Sequence, residues 1–411
     1  SDISFKLPIG VDIRFNIIIK FRVMKPSLTF ILPILILALS SCSSSPVVKN
    51  INYADNSEQL FIDSKINNQV AISDKDKGLL RDILNNLFLY KGLSDGDLIT
   101  LESYIEKDYI KKVALSEVAS VISNNIKLRK SGKLKISYLA NKTNKEYLIE
   151  SLLKKSYPFE VSFNSGYKID ANLVDSKLKY FCSSLMNDQR ALVETSIFSS
   201  NQKSESKLII VYLKKFEAIA NQLREKYPNN RFELVEGLEF ENFTKKVLGI
   251  DTSLSRHQDI QNLDRNIDIK NSPRKRKDFN KIYFILDHET GKSIIPIFRS
   301  YALDIDFYAT NKILLGISNI KQMNDFEGVL IPGPSYFFKN ISKKGNISSL
   351  KNELDKALID DLIMIERVSQ ANFSKIDLLL NTGKVKYKNN SCLERDLTLW
   401  KISLDDLTNR S

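Results

Sequence analysis

The run KIYFILD, Lys281 to Asp287, constrains the fold more than any other stretch. It is a continuous apolar segment of β-branched and aromatic residues, so it reads as a buried strand. Its neighbours alternate in kind. Leu134–Leu139 predicts a strand, Lys145–Lys155 a helix and Phe159–Phe163 a strand. Lys207–Leu213 predicts another buried strand, followed by a helix near Phe216–Lys226 and a strand at Phe232–Val235. After Asp287 a helix is expected over Ser293–Ala302, with Pro296 in its first turn or at a kink. Asp304–Thr310 and Gly328–Ile331 then read as strands, and Leu350–Val368 as a helix. Thr382–Leu404 predicts a closing hairpin that turns at Asn389-Asn390. Strand–helix–strand alternation implies parallel sheet with right-handed crossovers, hence an α/β fold.

Upstream the periodicity is helical. Leu79, Leu80, Ile83, Leu84, Leu87 and Phe88 follow i, i+3, i+4, i+7 spacing. GLSDGDL breaks that helix, and Ser94 or Asp95 can cap the next. A third amphipathic segment runs from Tyr109 to Ile126. The helical region is expected over 71–130 and the α/β domain over 131–411, with RKSGK at the boundary.

The N-terminal part carries an export pattern. Lys25 follows Met24, Leu28 to Leu39 is an apolar run of 12 residues, and Leu39-Ser40-Ser41-Cys42 closes it. The run is too short to span a bilayer but suits a signal peptide. The closing tetrad reads as a lipobox, whose small residues let a peptidase approach the backbone and whose Cys42 takes the lipid. The competing reading is a buried helix that ends in Cys. Ser43, where Asp would retain the protein at the inner membrane, favours the outer membrane. Residues 1–23 are then an upstream extension without a role in the fold, 24–41 the signal peptide and 42–70 anchor and tether. Residues 1–41 hold five Lys or Arg against two Asp, so their removal lowers the net charge from +12 to +9. A basic surface suits anionic partners, and export argues against nucleic acid. Cys182 and Cys392 remain, in a compartment that permits disulfides. They either pair or stay separate buried thiols.

Catalytic signatures are absent. There is no phosphate-binding glycine loop, dinucleotide fingerprint or G-x-S-x-G elbow. The histidines are His257 and His288, and two His with two isolated Cys lack metal-ligand spacing. No cofactor is implied. His288, just after the Ile282–Leu286 run, should lie near a strand's C-terminal end, where α/β clefts open. The basic run SPRKRKDF, Ser272 to Phe279, is either a partner contact or a solvated linker in which Arg274 or Arg276 pairs with Asp278.

Several motifs occur in a fixed order over residues 150–402. Pro273, Arg274, Arg276 and Asp278 lead into the buried strand. Ile294 or Ile295 with Pro296 follows, and then Tyr308-Ala309-Thr310. Asp325, Phe326, Gly328 and Val329 come next, and Gly383, Cys392, Arg395, Leu397 and Trp400 lie in the closing segment. This order resembles the LppC lipoproteins, the LpoA-type activators of penicillin-binding proteins. The resemblance implies type I periplasmic-binding-protein-like α/β lobes, here with a reduced first lobe and a small helical segment before it. It implies no catalytic site, an outer-membrane lipid anchor, and a bifunctional penicillin-binding protein (a peptidoglycan synthase) as partner. Arg274, Arg276, Lys277 and Tyr308 are the expected contact residues. The chain departs from the family where its N-terminal helical repeats would stand, in the short first lobe, at Asn311-Lys312 in place of Ser-His, and in an aromatic displaced to Tyr336.

Two other functions use the same features. A lipid-anchored solute-binding protein also has two α/β lobes and would need a complete first lobe. A cell-wall hydrolase or esterase would need His288 bonded to both a nucleophile and a carboxylate. The lipobox makes one prediction of its own. Cys42→Ala should release the protein from the membrane fraction or leave an uncleaved precursor, as fractionation and mass measurement would show. Wild-type processing and membrane association would contradict it.

Overall fold

The computed structural model describes residues 3–6, 12–15, 48–51, 62–91, 93–155, 157–200, 207–263, 274–333 and 346–402. Cys42, the signal-peptide run, Pro273 and Tyr336 lie outside them. The chain divides into two units, Ser1–Ser44 and Ser45–Ser411. In the first, β1 (Ile3–Lys6) and β2 (Asp12–Phe15) pair antiparallel.

The second unit begins with β3 (Val48–Ile51) and a helical cluster. Helix α1 (Asp74–Phe88) starts at Ser73, whose hydroxyl accepts from the Asp76 amide. Helix α2 (Asp95–Glu106) starts at a full capping box between Ser94 and Asp97. Helix α3 is Leu115–Lys130. Leu80, Leu84, Leu87, Leu101 and Val118 form a core separate from the main one. Arg367, on a later helix, donates to the carbonyls of Leu128 at 2.6 Å and Gly132 at 2.7 Å. A buried guanidinium thus meets the carbonyl end of α3, where the helix dipole favours positive charge.

The first lobe starts with β4 (Leu134–Ala140), α4 (Lys142–Leu153) and β5 (Phe159–Ile169). The two strands are parallel, and their register jumps from Ser137↔Ser162 to Tyr138↔Tyr167. Gly166 permits that bulge. Its φ is +103°, and a Cβ there would collide with the Ser137 backbone. The second lobe holds α5 (Leu185–Ser200), β6 (Lys207–Leu213), α6 (Glu217–Lys226), β7 (Arg231–Val235), α7 (Phe240–Leu248) and α8 (Ile250–Leu263). It continues through β8 (Phe279–Ile285), α9 (His288–Tyr301), β9 (Asp306–Ala309) and β10 (Val329–Gly333). The chain then returns to α10 (Leu350–Gln370), β11 (Lys375–Leu380), β12 (Gly383–Lys388) and β13 (Arg395–Asp396). It ends with β14 (Thr398–Ile402) back in the large sheet.

That sheet has the strand order β3-β14-β10-β9-β8-β6-β7. Its pairs from β10 to β7 are parallel, and β14 runs antiparallel to β10. The central run is apolar throughout because the sheet is covered on both faces. Ile282 and Phe284 enter one core with Phe298 and Phe307, whereas Tyr283 and Ile285 enter another with Val193 and Leu223. The architecture is the expected one: two α/β lobes, the first reduced, behind a small helical cluster.

Three local expectations need correction. Helix α9 begins at His288 because Asp287 caps it, accepting from the Thr290 amide at 2.9 Å, so Pro296 lies in the helix interior. The predicted closing hairpin is divided between sheets. β12 pairs chiefly with β11, across a turn at Asn381-Thr382, while Trp400 belongs to the large sheet. The helices Leu185–Ser200, Phe240–Leu248 and Ile250–Leu263 were not anticipated.

Phe284 is buried, with edge-on rings of Phe298 at 5.4 Å and Phe307 at 5.5 Å. Phe284→Ala should cost about 3–5 kcal/mol in urea unfolding. Leu303→Ala, at a side chain 84% exposed, should stay within about 0.5 kcal/mol. Equal effects would contradict the placement of β8 at the centre.

Candidate functional site

Two connections between the lobes run side by side. One leads from β5 to α5, the other from β12 to β14. Phe181 and Leu393 form a parallel bridge between them. The Cys182 amide donates to the Leu393 carbonyl at 3.0 Å, and the Leu393 amide to the Tyr180 carbonyl at 2.7 Å. Cys182 and Cys392 are joined by a disulfide beside this bridge. The bond closes a separation of 210 residues.

Arg395 fills the space behind the disulfide. Its guanidinium lies 3.6 Å from the centre of the Phe181 ring and pairs with Asp188 at 2.6 Å. Its Nε donates to the Thr382 hydroxyl at 3.2 Å. That hydroxyl donates in turn to Asp361 at 2.6 Å. Asp361 also accepts from the amides of Asn381 (2.7 Å) and Thr382 (2.9 Å) and from the Asn381 side chain (3.0 Å). Burial pushes the Asp361 carboxyl up to about 6, against these bonds and the nearby Arg395 charge. A second buried carboxylate, Glu366, collects Tyr138 (3.0 Å), Tyr180 (2.9 Å), Lys179 (3.0 Å) and Gln370 (3.0 Å). Its charge stays favoured: burial acts against it, but these bonds prevail and lower its pKa. Helix α10, which bears both acids, is thereby tied to β4, to the turn between β11 and β12, and to one lobe connection.

The strand ends that face the lobe junction are engaged within the protein. Lys215 pairs with Asp287. Lys312 pairs with Asp175 at 3.1 Å and lies 4.9 Å from the centre of the Phe216 ring. Asn311 is buried, and its amide donates to the Gln189 side chain at 3.1 Å. The two residues that depart from Ser-His thus hold the junction together. His288 Nδ1 sits 2.8 Å from the Ile313 carbonyl, and the ring packs on Gly316 and Phe326. Among the described residues neither a nucleophile nor a carboxylate is hydrogen-bonded to it. Its role here is to anchor the Asn311–Leu314 turn. Among the described residues no group of His, Cys, Asp and Glu is arranged to hold a metal ion, and no helix is long and apolar enough to cross a membrane.

The residues of the basic run differ in their contacts. Arg276 donates from Nε to Asp278 at 2.9 Å, its amide donates to the Leu248 carbonyl at 2.8 Å, and its side chain covers Gly249. Gly249 has φ +73° and closes α7, so a β-carbon there would displace Arg276. Lys275 pairs with Asp304. Arg274 and Lys277 are exposed. Tyr308 is not with them. It lies inside the large sheet between Tyr283 of β8 and Leu330 of β10, 5% exposed, because alternate residues of a central strand point into one core or the other. It offers no surface to a partner.

The acids Asp188, Asp361 and Glu366 escaped the sequence reading. A signal existed for Asp361. In α10 it shares a helical face with Leu354, Leu358, Ile365 and Val368, and a charge on an apolar face must find partners.

Comparison with known proteins gives structural likeness only. No protein-family model matches, and no curated protein matches. Full-length LpoA from Haemophilus influenzae is similar with a TM-score of 0.40 at 10% identity, over 82% of this chain and 69% of that one. The LpoA C-domain from the same organism, described as a regulator of PBP1A, gives 0.30 at 12%, over 66% and 97%. A putative branched-chain amino acid ABC transporter protein from Rhodospirillum rubrum gives 0.39 at 8%, over 66% and 97%. At these values none of the likenesses carries a functional argument.

The Asp361 network predicts a pH dependence. The group's folded pKa lies above its unfolded value near 3.8, so the folded state holds the extra proton between about pH 4 and 6. Stability contributed by this group should fall as pH rises through that window and level off above it. Asp361→Asn should lose this component and be less stable at every pH, since its amide would face donors. Unfolding curves from pH 4 to 7 for both proteins check this. An unchanged slope in the variant would contradict it.

Proposed function

We propose that this chain is an outer-membrane lipoprotein, anchored through Cys42, that binds a peptidoglycan synthase of the penicillin-binding-protein class and raises its activity allosterically. The observation that carries the proposal is the ordered motif set from Arg274 to Trp400, on a chain that folds into two α/β lobes. Lys312–Asp175, Lys215–Asp287 and the His288–Ile313 contact engage several of the polar groups at the strand ends. A regulator of this kind needs only different affinity for two states of its partner. The lipobox and the basic mature charge of +9 fit a periplasm-facing protein that meets an acidic surface.

Within the basic run exposure and pairing suggest two roles. Arg274 and Lys277 are free to act through charge, which sets association rate and salt sensitivity. Arg276 pins the loop to α7. The synthase should be recovered from solubilised membranes on immobilised wild-type protein and identified by mass spectrometry. Replacing Arg274 and Lys277 with Gln should weaken its capture at low ionic strength, with the gap closing as salt screens the field. Arg276→Gln should instead lower the melting temperature. Recovery of no synthase at all would overturn the proposal. Equal capture by both proteins at every salt concentration would leave the basic run as a solvated loop.

A further inference from the structure

The first lobe leaves one strand edge open. Its sheet has two strands, β4 and β5. The far edge of β4 is closed at Lys135 by the Gln370 side chain, which accepts from the Lys135 amide at 2.9 Å and donates to its carbonyl at 2.6 Å. The far edge of β5 has no such cover. Backbone groups of successive strand residues face opposite sides, and the Leu134 amide donates to the Pro158 carbonyl. The amides and carbonyls of Phe159, Val161 and Phe163 therefore face away from β4, and among the described residues nothing bonds to them. The bulge at Gly166 lies beyond this stretch. A bare edge whose outward residues include neither a charge nor a proline is a template for another strand.

The side chains on that edge are short of cover too. Leu134 and Ile136 of β4 are buried, whereas their register partners Phe159 and Val161, with Phe163 beyond, are only half-buried. Helix α4 covers this face, and its Lys145 Nζ lies 5.4 Å from the centre of the Phe163 ring. From there Lys145, Ile149 and Leu153 advance about 6 Å at each step, while Phe163, Val161 and Phe159 run back along β5 at about 7 Å. The open flank is thus apolar in both layers, with Ile149 44% and Leu153 71% exposed. The opposite flank of α4 is taken by α10, through Ser151 with Asp360 and through Lys356, 5.2 Å from the centre of the Tyr147 ring.

This flank is complementary to itself. A two-fold axis at Val161 that pairs two copies of β5 antiparallel sets Phe159 opposite the partner's Phe163 and Val161 opposite the partner's Val161, all apolar cross-strand pairs. On the solvent face Glu160 meets the partner's Ser162, so like charges are not directly opposed. The completed sheet has four strands, and the two copies of α4 lie two strand spacings apart, roughly 10 Å, which is the packing distance of two helices. Ile149 and Leu153 fill that contact. A strand from an unrelated protein would bond the edge equally well, but it would bring no helix to cover them. We infer that the reduced first lobe is completed by a second copy of this chain, through β5 and α4. The inference does not depend on the synthase proposal.

The full chain in mild detergent should sediment as a dimer at micromolar concentration. Leu153→Lys, which charges the helix contact at an exposed position, should raise the dissociation constant tenfold or more. Val161→Pro, which removes an outward amide and is tolerated at a strand edge, should do the same. Leu303→Lys, exposed on the second lobe, should stay within twofold of wild type. Thermal melts verify that the variants fold. Val161→Cys should also give a disulfide-linked dimer on oxidation, since paired residues of antiparallel strands stand about 5.5 Å apart, within disulfide reach. Wild type should give none. A chain that stays monomeric up to submillimolar concentration would overturn the inference and leave the edge to a strand of another protein. So would a dimer that Leu153→Lys and Val161→Pro form as readily as wild type, or a Val161→Cys dimer that does not cross-link.

Discussion

The arrangement of the lobes depends on one buried pair, Arg395 with Asp188. The guanidinium is almost fully removed from water, and a charge in that position persists only if its partners are in place. Removing either partner of such a pair costs about 3–5 kcal/mol, because the other is left buried and unpaired. Asp188 stands at the start of α5, in the second lobe, while Arg395 sits on β13, beside the connection that returns there. The hydroxyl of Thr382 carries the same network to Asp361 on α10. The Cys182–Cys392 bond then fixes the two connections alongside each other. Bond and ion pair act on the same few residues, and each keeps the other in register.

The same region holds the ends of the parallel strands. In a two-lobed α/β protein those ends are where ligands bind. Here Lys312 is held by Asp175, Asp287 by Lys215, and His288 by a backbone carbonyl. The positions that differ from the resembling family, Asn311 and Lys312, are engaged by Gln189 and Asp175.

Much of the fold was legible from apolar periodicity. The run at Ile282–Leu286 read as a buried strand, and of the two cap candidates, Ser94 and Asp95, it is Ser94 that starts α2. The strand pairing near the C-terminus was not legible. Asn389-Asn390 is a turn, with Asn390 at φ +62°, but β12 takes its main partner from upstream, through a turn that Asp361 stabilises from a distant helix. No local pattern encodes that contact. Tyr308 was misplaced for a related reason: a motif shows that a residue recurs in a family but not which face of a strand it occupies. Among the acids, Asp361 announced itself on an apolar helix face. Asp188 did not, since the start of α5 alternates polar and apolar residues without a clear period.

The most direct test of the account is the initial rate of glycan-strand synthesis by the purified synthase as the soluble, unlipidated protein is titrated in. The account predicts a saturable rise, with half-effect at the concentration at which the complex forms. A rate that stays flat while the complex is shown to form would contradict it.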